Sequence, residues 1–260
     1  MPKIEGVILD WAGTTVDYGC FAPVQVFIDI FKHAGIDVYM HEAREPMGKL
    51  KRDHITAMLE MPRIQQAWQS QTGALPTERD IDALYAQFEA QLMHTLGDYT
   101  TPLPYVVETI KQLQTEGYRI GTTTGYTAHM MSVVAESAAQ QGYVPDSIVT
   151  AEDVAGYGRP YPYMIFENMR RLRLSSVSRV VKVGDTIADI EEAIHAGVIA
   201  VGVVEGSSIL GYDASSWATL DADQREQSVT RATELFQAHG AHAVIRNMSE
   251  LPELLKTWYD

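Results

Sequence analysis

A series of short apolar segments, separated by helix-length stretches, constrains the fold of this 260-residue chain more than any other feature. The first segment, residues 6–9 (GVIL), ends directly before Asp10. The later segments, all short and rich in β-branched residues, are residues 119–123, 147–150, 179–183, 200–204 and, as a weaker sixth, 243–245. Helical spacing of apolar residues fills the stretches between them, as at residues 106–116 and 127–141. Strands that alternate with helices in this way predict an α/β fold with a parallel, doubly wound sheet.

The pattern changes between residue 20 and about residue 99, where the sequence contains helical stretches and no good strand. The predicted helices are residues 23–33, 41–60, 62–71 and 78–96. A crossover between parallel strands needs only about a dozen residues, usually in one helix. We therefore predict a Rossmann-like core domain, residues 1–19 and 100–260, with an inserted α-helical cap domain at residues 20–99. The alternative is that these helices pack directly on the sheet.

The acidic composition limits the partners that the chain can bind. Its formal net charge of −14 disfavours nucleic acid and anionic membranes, because both are polyanions. An anionic small molecule would need a locally positive site, supplied by a metal ion, an arginine or a lysine. The single cysteine, Cys20, excludes an intramolecular disulfide and a cysteine-based zinc cluster. With no apolar signal segment and no run near the length of a membrane span, the sequence predicts a soluble cytoplasmic protein.

Polar residues follow three of the predicted strands. The segments are residues 10–15 (DWAGTT), 122–125 (TTTG) and 183–189 (VGDTIAD). In a parallel sheet they meet at the carboxyl edge, where ligands bind. Asp10 can then attack phosphorus as a carboxylate nucleophile, and Asp10 with Asp185 can hold Mg²⁺ through oxygen ligands. Thr124 can hold phosphoryl oxygens, so the three segments together predict phosphoryl transfer, although each alone is as typical of a helix start or a turn.

These segments resemble the motifs of the haloacid dehalogenase (HAD) superfamily, and the resemblance covers residues 4–204. It implies an aspartate nucleophile, a strand-end threonine, a basic residue in a third motif and an acidic Mg²⁺-binding motif. Two positions depart from the pattern. Ala12 stands where the phosphatases of the superfamily carry a second aspartate that acts as general acid and base. Arg159, in residues 158–162 (GRPYP), is the best candidate for the third-motif residue that is usually a lysine.

The absence of that acid favours a leaving group that needs no proton from it. Residues 45–54 (EPMGKLKRDH) offer lysines that can form a Schiff base with a carbonyl compound. A protonated imine beside a carbon–phosphorus bond accepts electrons, so the carbon departs as an enamine. This combination resembles the phosphonoacetaldehyde hydrolase (phosphonatase) family of the superfamily. The matching segments span nearly the whole chain and are residues 10–23, 46–54, 61–64, 123–126, 158–162 and 183–186.

The resemblance implies a role for each matching residue. Asp10 attacks phosphorus, and Lys51 forms the Schiff base with the aldehyde. Mg²⁺ is held by Asp10, the backbone carbonyl of Ala12, and Asp185. The remaining implied site residues are Arg159 and Thr124 for the phosphonate oxygens, and His54, Met47, Gly48, Cys20 and Tyr126 around the amine. The implied products are acetaldehyde and phosphate, and the implied assembly is a homodimer.

Several alternatives stay open at this point. Lys49 and Lys51 fit the chemistry equally, and only the family spacing favours Lys51, with His54 three residues on along the same helical face. Cys20 and Met47 are equally typical of packing residues, and Asp189 is expected to orient the metal site and not to bind the ion directly.

Other functions also fit parts of the pattern. A HAD phosphatase acting on a small phosphate ester is one, although Ala12 counts against it. A dehalogenase is a weaker alternative, because it needs neither Mg²⁺ nor Asp185. A non-catalytic regulator that binds Mg²⁺ and phosphate belongs to a different class, and turnover that depends on Asp10 would exclude it.

Overall fold

The computed structural model describes residues 4–258 and contains one six-stranded sheet in that range. The strands are β1 Gly6–Leu9, β2 Arg119–Thr123, β3 Ser147–Val149, β4 Val180–Gly184, β5 Ile199–Val203 and β6 Ala243–Ile245. Their order is β3-β2-β1-β4-β5-β6, and every neighbouring pair is parallel. The α/β fold and all six strands are therefore confirmed, with bounds that differ from the prediction by at most one residue.

Helices occupy the chain between β1 and β2. They are α1 Phe21–His33, α2 Met40–Arg44, α3 Lys51–Glu60, α4 Pro62–Thr72 and α5 Glu78–Thr95, followed by a 3-10 helix at Leu96–Tyr99. Helix α1 packs on α2 and α5, and α3 packs on α4 and α5, so the five helices contact one another. The prediction of one helix over residues 41–60 was wrong, because Pro46 and Gly48, whose φ is +90°, lie in a turn that separates α2 from α3. The bounds of the cap domain, residues 20–99, stay a prediction.

Seven further α-helices lie between residues 100 and 258 of the described range. They are α6 Val106–Thr115, α7 Ala128–Gln140, α8 Tyr163–Leu172, α9 Ile187–Ala196, α10 Ala214–Thr219, α11 Ala222–Ala238 and α12 Leu251–Lys256. Successive side chains of each strand point to opposite faces of the sheet, as the pleat of a strand requires. Val7 and Leu9 join one apolar cluster, which continues into the inserted helices, and Ile8 joins a second cluster with residues of α9 and α11. None of the helices within residues 4–258 has the length and apolar character needed to cross a bilayer.

The turn between α2 and α3 lies directly against the loops that follow the strands. A Cβ atom added to Gly48 would lie 2.3 Å from Thr186 Oγ1, and one added to Gly125 would lie 2.8 Å from the carbonyl oxygen of Lys49. A Cβ atom on Gly158 would lie 2.6 Å from Leu50 Cδ2. The inserted helices and the sheet thus meet at an interface with no room for a further methyl group at three glycines, and the candidate site lies in this interface.

Candidate active site

Asp10 occupies the carboxyl end of the central strand β1 and is buried. Its backbone N–H donates to the carbonyl oxygen of Val183 at 3.0 Å, which ties it to the neighbouring strand β4. The following loop is wound tightly, because the Trp11 carbonyl accepts hydrogen bonds from three successive backbone N–H groups, those of Thr14, Thr15 and Val16. The Asp10 carboxylate is therefore held at the sheet edge by backbone geometry, as expected for an anchored nucleophile.

Asp185 follows β4 and faces this loop. Thr14 Oγ1 donates to its Oδ1 at 3.1 Å, and the backbone N–H of Ser208 donates to its Oδ2 at 2.8 Å. Gly13 has a φ of +86°, and a Cβ atom there would lie 2.3 Å from Asp185 Oδ2. Only glycine allows the loop to approach the carboxylate so closely.

The carboxylates at this edge fit a divalent cation. Asp10, Asp185 and Asp189 are all buried, and each offers an oxygen within 4.8 Å of the others. Oxygen-only donor sets suit hard cations such as Mg²⁺. Burial, together with the charges of Asp10 and Asp189, raises the pKa of Asp185 to about 8, because three carboxylates repel one another in a site away from water. A bound cation would relieve that repulsion.

Arg159 lies at the centre of a buried ion network. Its Nη2 donates to Asp10 Oδ1 at 2.5 Å, its Nε donates to Glu192 Oε2 at 3.0 Å, and its Nη1 lies 3.1 Å from Asp189 Oδ1. Burial opposes the charged form, but these three carboxylates outweigh it and hold the pKa of the guanidinium above its usual range. The third-motif residue expected from sequence thus contacts Asp10 directly.

A second buried cation, Lys182 of β4, completes this network. Its Nζ lies 2.8 Å from Asp189 Oδ1 and 3.5 Å from Glu192 Oε2, and it donates to Thr123 Oγ1 at 2.9 Å. Together with Asp185, the connected side chains comprise four carboxylates and two cations. The excess of carboxyl groups over cations is a second feature that fits a divalent cation.

Lys51 reaches the site from the inserted helices and not from the sheet. It is the first residue of α3, is 6% exposed, and shares a cavity of about 20 Å³ with Asp10. Burial lowers the pKa of its amine, and the Nζ lies 5.1 Å from the centroid of the Tyr126 ring. Lys49 lies outside the helix and is exposed. Of the two lysines that the sequence left open, the structure therefore places Lys51 in the same cavity as Asp10.

The same small cavity gathers nearly all the residues expected from the sequence. Its walls are formed by Asp10, Ala12, Cys20, Met47, Gly48, Lys51, Thr124, Gly125, Tyr126, Arg159 and Thr186. Asp185 lies beyond this wall, against the loop after β1.

His54 lies behind Lys51 and does not line the cavity. Its ring stacks on Phe27 at a centroid distance of 3.8 Å, and its Nε2 lies 2.9 Å from the carbonyl oxygen of Ala43. A carbonyl can only accept, so Nε2 carries the hydrogen and Nδ1 is left as an acceptor. Burial lowers the pKa of His54 well below its usual value, so the ring is neutral at pH 7.

Comparison with known proteins agrees with this geometry. A family model described as haloacid dehalogenase-like hydrolase matches residues 4–197. The phosphonoacetaldehyde hydrolase of Lysinibacillus sphaericus (strain C3-41) is 52% identical over 98% of this chain and 95% of its own length. The chain belongs to the phosphonoacetaldehyde hydrolase family. The family resemblance predicted from the motifs is therefore confirmed, and the chain is a hydrolase of the HAD superfamily.

Two further proteins are similar to this chain over nearly its whole length. A bifunctional phosphonoacetaldehyde hydrolase/aminoethylphosphonate transaminase of Clostridioides difficile (strain 630) is 51% identical over 97% of this chain, which spans 40% of that longer protein. The crystal structure of a phosphonoacetaldehyde hydrolase-like protein from Oleispira antarctica superimposes with a TM-score of 0.96 at 37% identity, covering 98% of this chain and 92% of that one. Because it covers 98% of this chain, the likeness includes the segment after residue 206, which contains none of the matching sequence motifs.

In this member of the phosphonoacetaldehyde hydrolase family, sequence reasoning missed Lys182 and Glu192. A lysine inside the apolar strand segment VVKVG was a usable signal, because a buried cation needs a carboxylate partner. Glu192 lies three residues after Asp189 on α9, which places both on one helical face. Neither residue has a motif of its own, and their contacts with Arg159 depend on packing between distant segments.

Proposed function

We propose that this enzyme hydrolyses the carbon–phosphorus bond of phosphonoacetaldehyde to acetaldehyde and phosphate. The observation that carries the proposal is the buried amine of Lys51 opening onto the same cavity as the Asp10 carboxylate. The names of the full-length relatives support the choice of substrate. Burial favours the neutral amine, which is the form that attacks a carbonyl carbon.

In the proposed reaction, the Lys51 amine adds to the aldehyde and water leaves, which forms a protonated imine. The Asp10 carboxylate then attacks phosphorus, and the electron pair of the carbon–phosphorus bond moves into the imine to give an enamine. Protonation and hydrolysis of the enamine release acetaldehyde and restore Lys51. Water hydrolyses the aspartyl-phosphate to phosphate and restores Asp10, so one water is consumed overall.

The remaining cavity residues bind and orient the substrate in this proposal. Arg159 and Thr124 hold the phosphonate oxygens, and the planar fork of Arg159 suits that group. Met47, Gly48, Cys20 and Tyr126 enclose the two-carbon aldehyde around the amine. His54, neutral and one helical turn from Lys51, relays protons for imine formation.

Mg²⁺ is the proposed cofactor, held by Asp10, the carbonyl oxygen of Ala12, and Asp185. When bound, it supplies positive charge that offsets the repulsion between the carboxylate nucleophile and the phosphonate. Asp189 orients the site without binding the ion, because its oxygens already contact Arg159, Lys182 and Thr186. Ala12 cannot act as an acid, which supports a route in which the imine stabilises the leaving carbon.

The proposal is tested by trapping the imine. Borohydride is added to enzyme with phosphonoacetaldehyde and Mg²⁺, and the modified peptide is located by mass spectrometry, while phosphate release is followed without borohydride. We expect a substrate-dependent adduct on Lys51, loss of both signals in Lys51→Arg, and normal behaviour in the matched variant Lys49→Arg. An enzyme that forms no adduct but hydrolyses simple phosphate esters would be a phosphatase, and the proposal would be rejected.

Two predictions about the setting of the enzyme complete the proposal. We propose a homodimer whose interface includes the first inserted helices, where Tyr39 and Met40 are exposed. We also propose that the enzyme acts in the cytoplasm on a freely diffusing phosphonate. Sedimentation equilibrium of the wild-type protein and of Met40→Glu tests the first of these.

A further inference from the structure

Arg44, the last residue of α2, joins three separate segments of the protein. Its Nη1 donates to the carbonyl oxygen of Gly19 at 2.7 Å and to that of Ser208 at 3.2 Å. Gly19 belongs to the link between β1 and α1, and Ser208 belongs to the loop after β5. We call the contact of Arg44 with Gly19 and Ser208 the Arg44 junction.

The junction is connected to the proposed metal site through a single residue. The carbonyl of Ser208 accepts from Arg44, and the backbone N–H of the same residue donates to Asp185 Oδ2 at 2.8 Å. The loop is braced on its other side, because the N–H of Gly19 donates to the carbonyl oxygen of Gly206 at 2.7 Å. A shift of α2 would therefore move the backbone N–H of Ser208, which orients Asp185.

A cavity of about 310 Å³ lies beside the junction, between α2 and the core loops. Arg44 and Ser208 line it, and so do Met47 and Thr186, which also form part of the wall of the active-site cavity. The active site is thus separated from this larger space by few side chains. The junction is the point at which the inserted helices are tied to the core beside that thin wall.

We propose that Arg44 is a positioning residue that, by joining α2 to the loop containing Ser208, holds Asp185 in its metal-binding orientation. The inference rests on the proposed function, because it assumes that Asp185 binds Mg²⁺. Carbonyl groups in a loop accept better from a planar guanidinium than from an ammonium, because the guanidinium offers several donors in a fixed arrangement. Arg44 does not touch the reacting atoms and acts only through Ser208 and Asp185.

The test compares wild-type enzyme with Arg44→Ala, Arg44→Lys and the matched control Arg52→Ala. Arg52 lies on α3, and among the described residues its side chain pairs with Glu78 and Asp82, both on α5 of the inserted helices. Mg²⁺ affinity is measured by calorimetry on the substrate-free protein, and amide exchange is measured for the peptide covering residues 204–212. Both measurements are independent of turnover.

We expect Arg44→Ala to weaken Mg²⁺ binding at least about 10-fold, which is typical when a group that supports a metal ligand is removed. In Arg44→Ala, amide exchange in residues 204–212 should speed up relative to wild type, and by more than in the rest of the core. Arg52→Ala should stay within about twofold of wild type in both measurements. Arg44→Lys should lie between wild type and Arg44→Ala, and it decides the test if Arg44→Ala does not fold.

Equal Mg²⁺ affinity in wild type and the Arg44 variants would overturn the inference. Equal losses in the Arg44 and Arg52 variants would overturn it too, because they would indicate general loosening of the inserted helices. A wild-type enzyme that binds Mg²⁺ and does not cleave phosphonoacetaldehyde would instead contradict the proposed function and leave the junction testable.

Discussion

Lys182 stands in the middle of a buried parallel strand, where water cannot solvate its charge. Asp189 and Glu192 on α9 supply the compensating charges, and both also contact Arg159. The orientation of Arg159 beside Asp10 therefore depends on Lys182, which does not line the active-site cavity.

We expect Lys182→Met to lower the free energy of unfolding by about 3 kcal/mol or more, because it leaves buried carboxylates with one cation fewer. Chemical denaturation measures the loss. The matched control is Lys256→Met, which removes an exposed pair with Glu253 and should cost at most about 1 kcal/mol. Equal losses in the two variants would show that the buried network contributes no more than a surface pair.

His54 makes stability depend on pH. Burial holds its pKa well below the value of about 6.5 in an unfolded chain, so on acidification the unfolded state binds a proton before the folded state does. This contribution is fully present above pH 6.5 and is lost as the pH falls below it, by about 1.4 kcal/mol per pH unit.

The measurement is the difference in unfolding free energy between wild type and His54→Asn from pH 7.5 to pH 5.0. Asparagine keeps a donor for the Ala43 carbonyl but does not titrate. The difference should shrink with that slope below pH 6.5, while the contributions of titrating groups common to both proteins cancel, such as that of Asp17, whose burial raises its pKa to about 6. Parallel curves would mean that His54 has the same pKa in the folded and unfolded states, and that burial does not lower it.

At the scale of elements, the strands and the turn between α2 and α3 differ in how far the sequence predicts them. The strands β1, β4 and β5 were predictable because they are short, rich in β-branched residues and buried along nearly their whole length. The turn was read as helix because apolar and charged residues at helical spacing run through it. The conformation of the turn depends instead on the close packing of Gly48 against Thr186, which lies far away in the sequence.

We expect Gly48→Ala to lower kcat/KM at least about 10-fold, because the new methyl group would displace the turn from Thr186 and carry Lys51 away from Asp10. Gly73→Ala is the matched control. Gly73 also has a positive φ, +80°, but a Cβ atom there would meet no atom within 4 Å. Both variants should lose about 1 kcal/mol of stability from the strained backbone, and only Gly48→Ala should lose activity.

A similar loss of activity in Gly73→Ala would assign the effect to strain in the inserted helices. An active Gly48→Ala would show that the turn adjusts without moving Lys51. Steady-state kinetics at saturating Mg²⁺, with thermal unfolding of each variant, separates these outcomes.

In the molecule as a whole, the sequence predicts some residues of the site, and only the structure identifies the others. Asp10, Thr124 and Asp185 could be predicted because the ends of parallel strands meet at one edge. Lys51 was separated from Lys49 only by family spacing, and the structure supplies a physical reason, since one lysine is buried and the other exposed. The sequence held a signal for Lys182, but the partners of Lys182, Glu192 and Arg44 could not be predicted, because they lie on elements that only the complete fold brings together.

The net charge of −14 should slow the association of the enzyme with its proposed substrate, because that substrate is an anion. Arg159 attracts it only at short range, and the charge of Arg159 is already offset by the carboxylates around it. Long-range repulsion should therefore oppose its approach, and it weakens as the Debye length falls from about 30 Å at 0.01 M salt to about 10 Å at 0.1 M. We expect kcat/KM to rise a few-fold over this range at saturating Mg²⁺, with kcat unchanged. Borohydride trapping of neutral acetaldehyde on Lys51 is the control and should not respond to salt. If kcat/KM fell instead, the cations of the site would dominate the field along the whole approach, and the acidic surface would have no part in substrate capture.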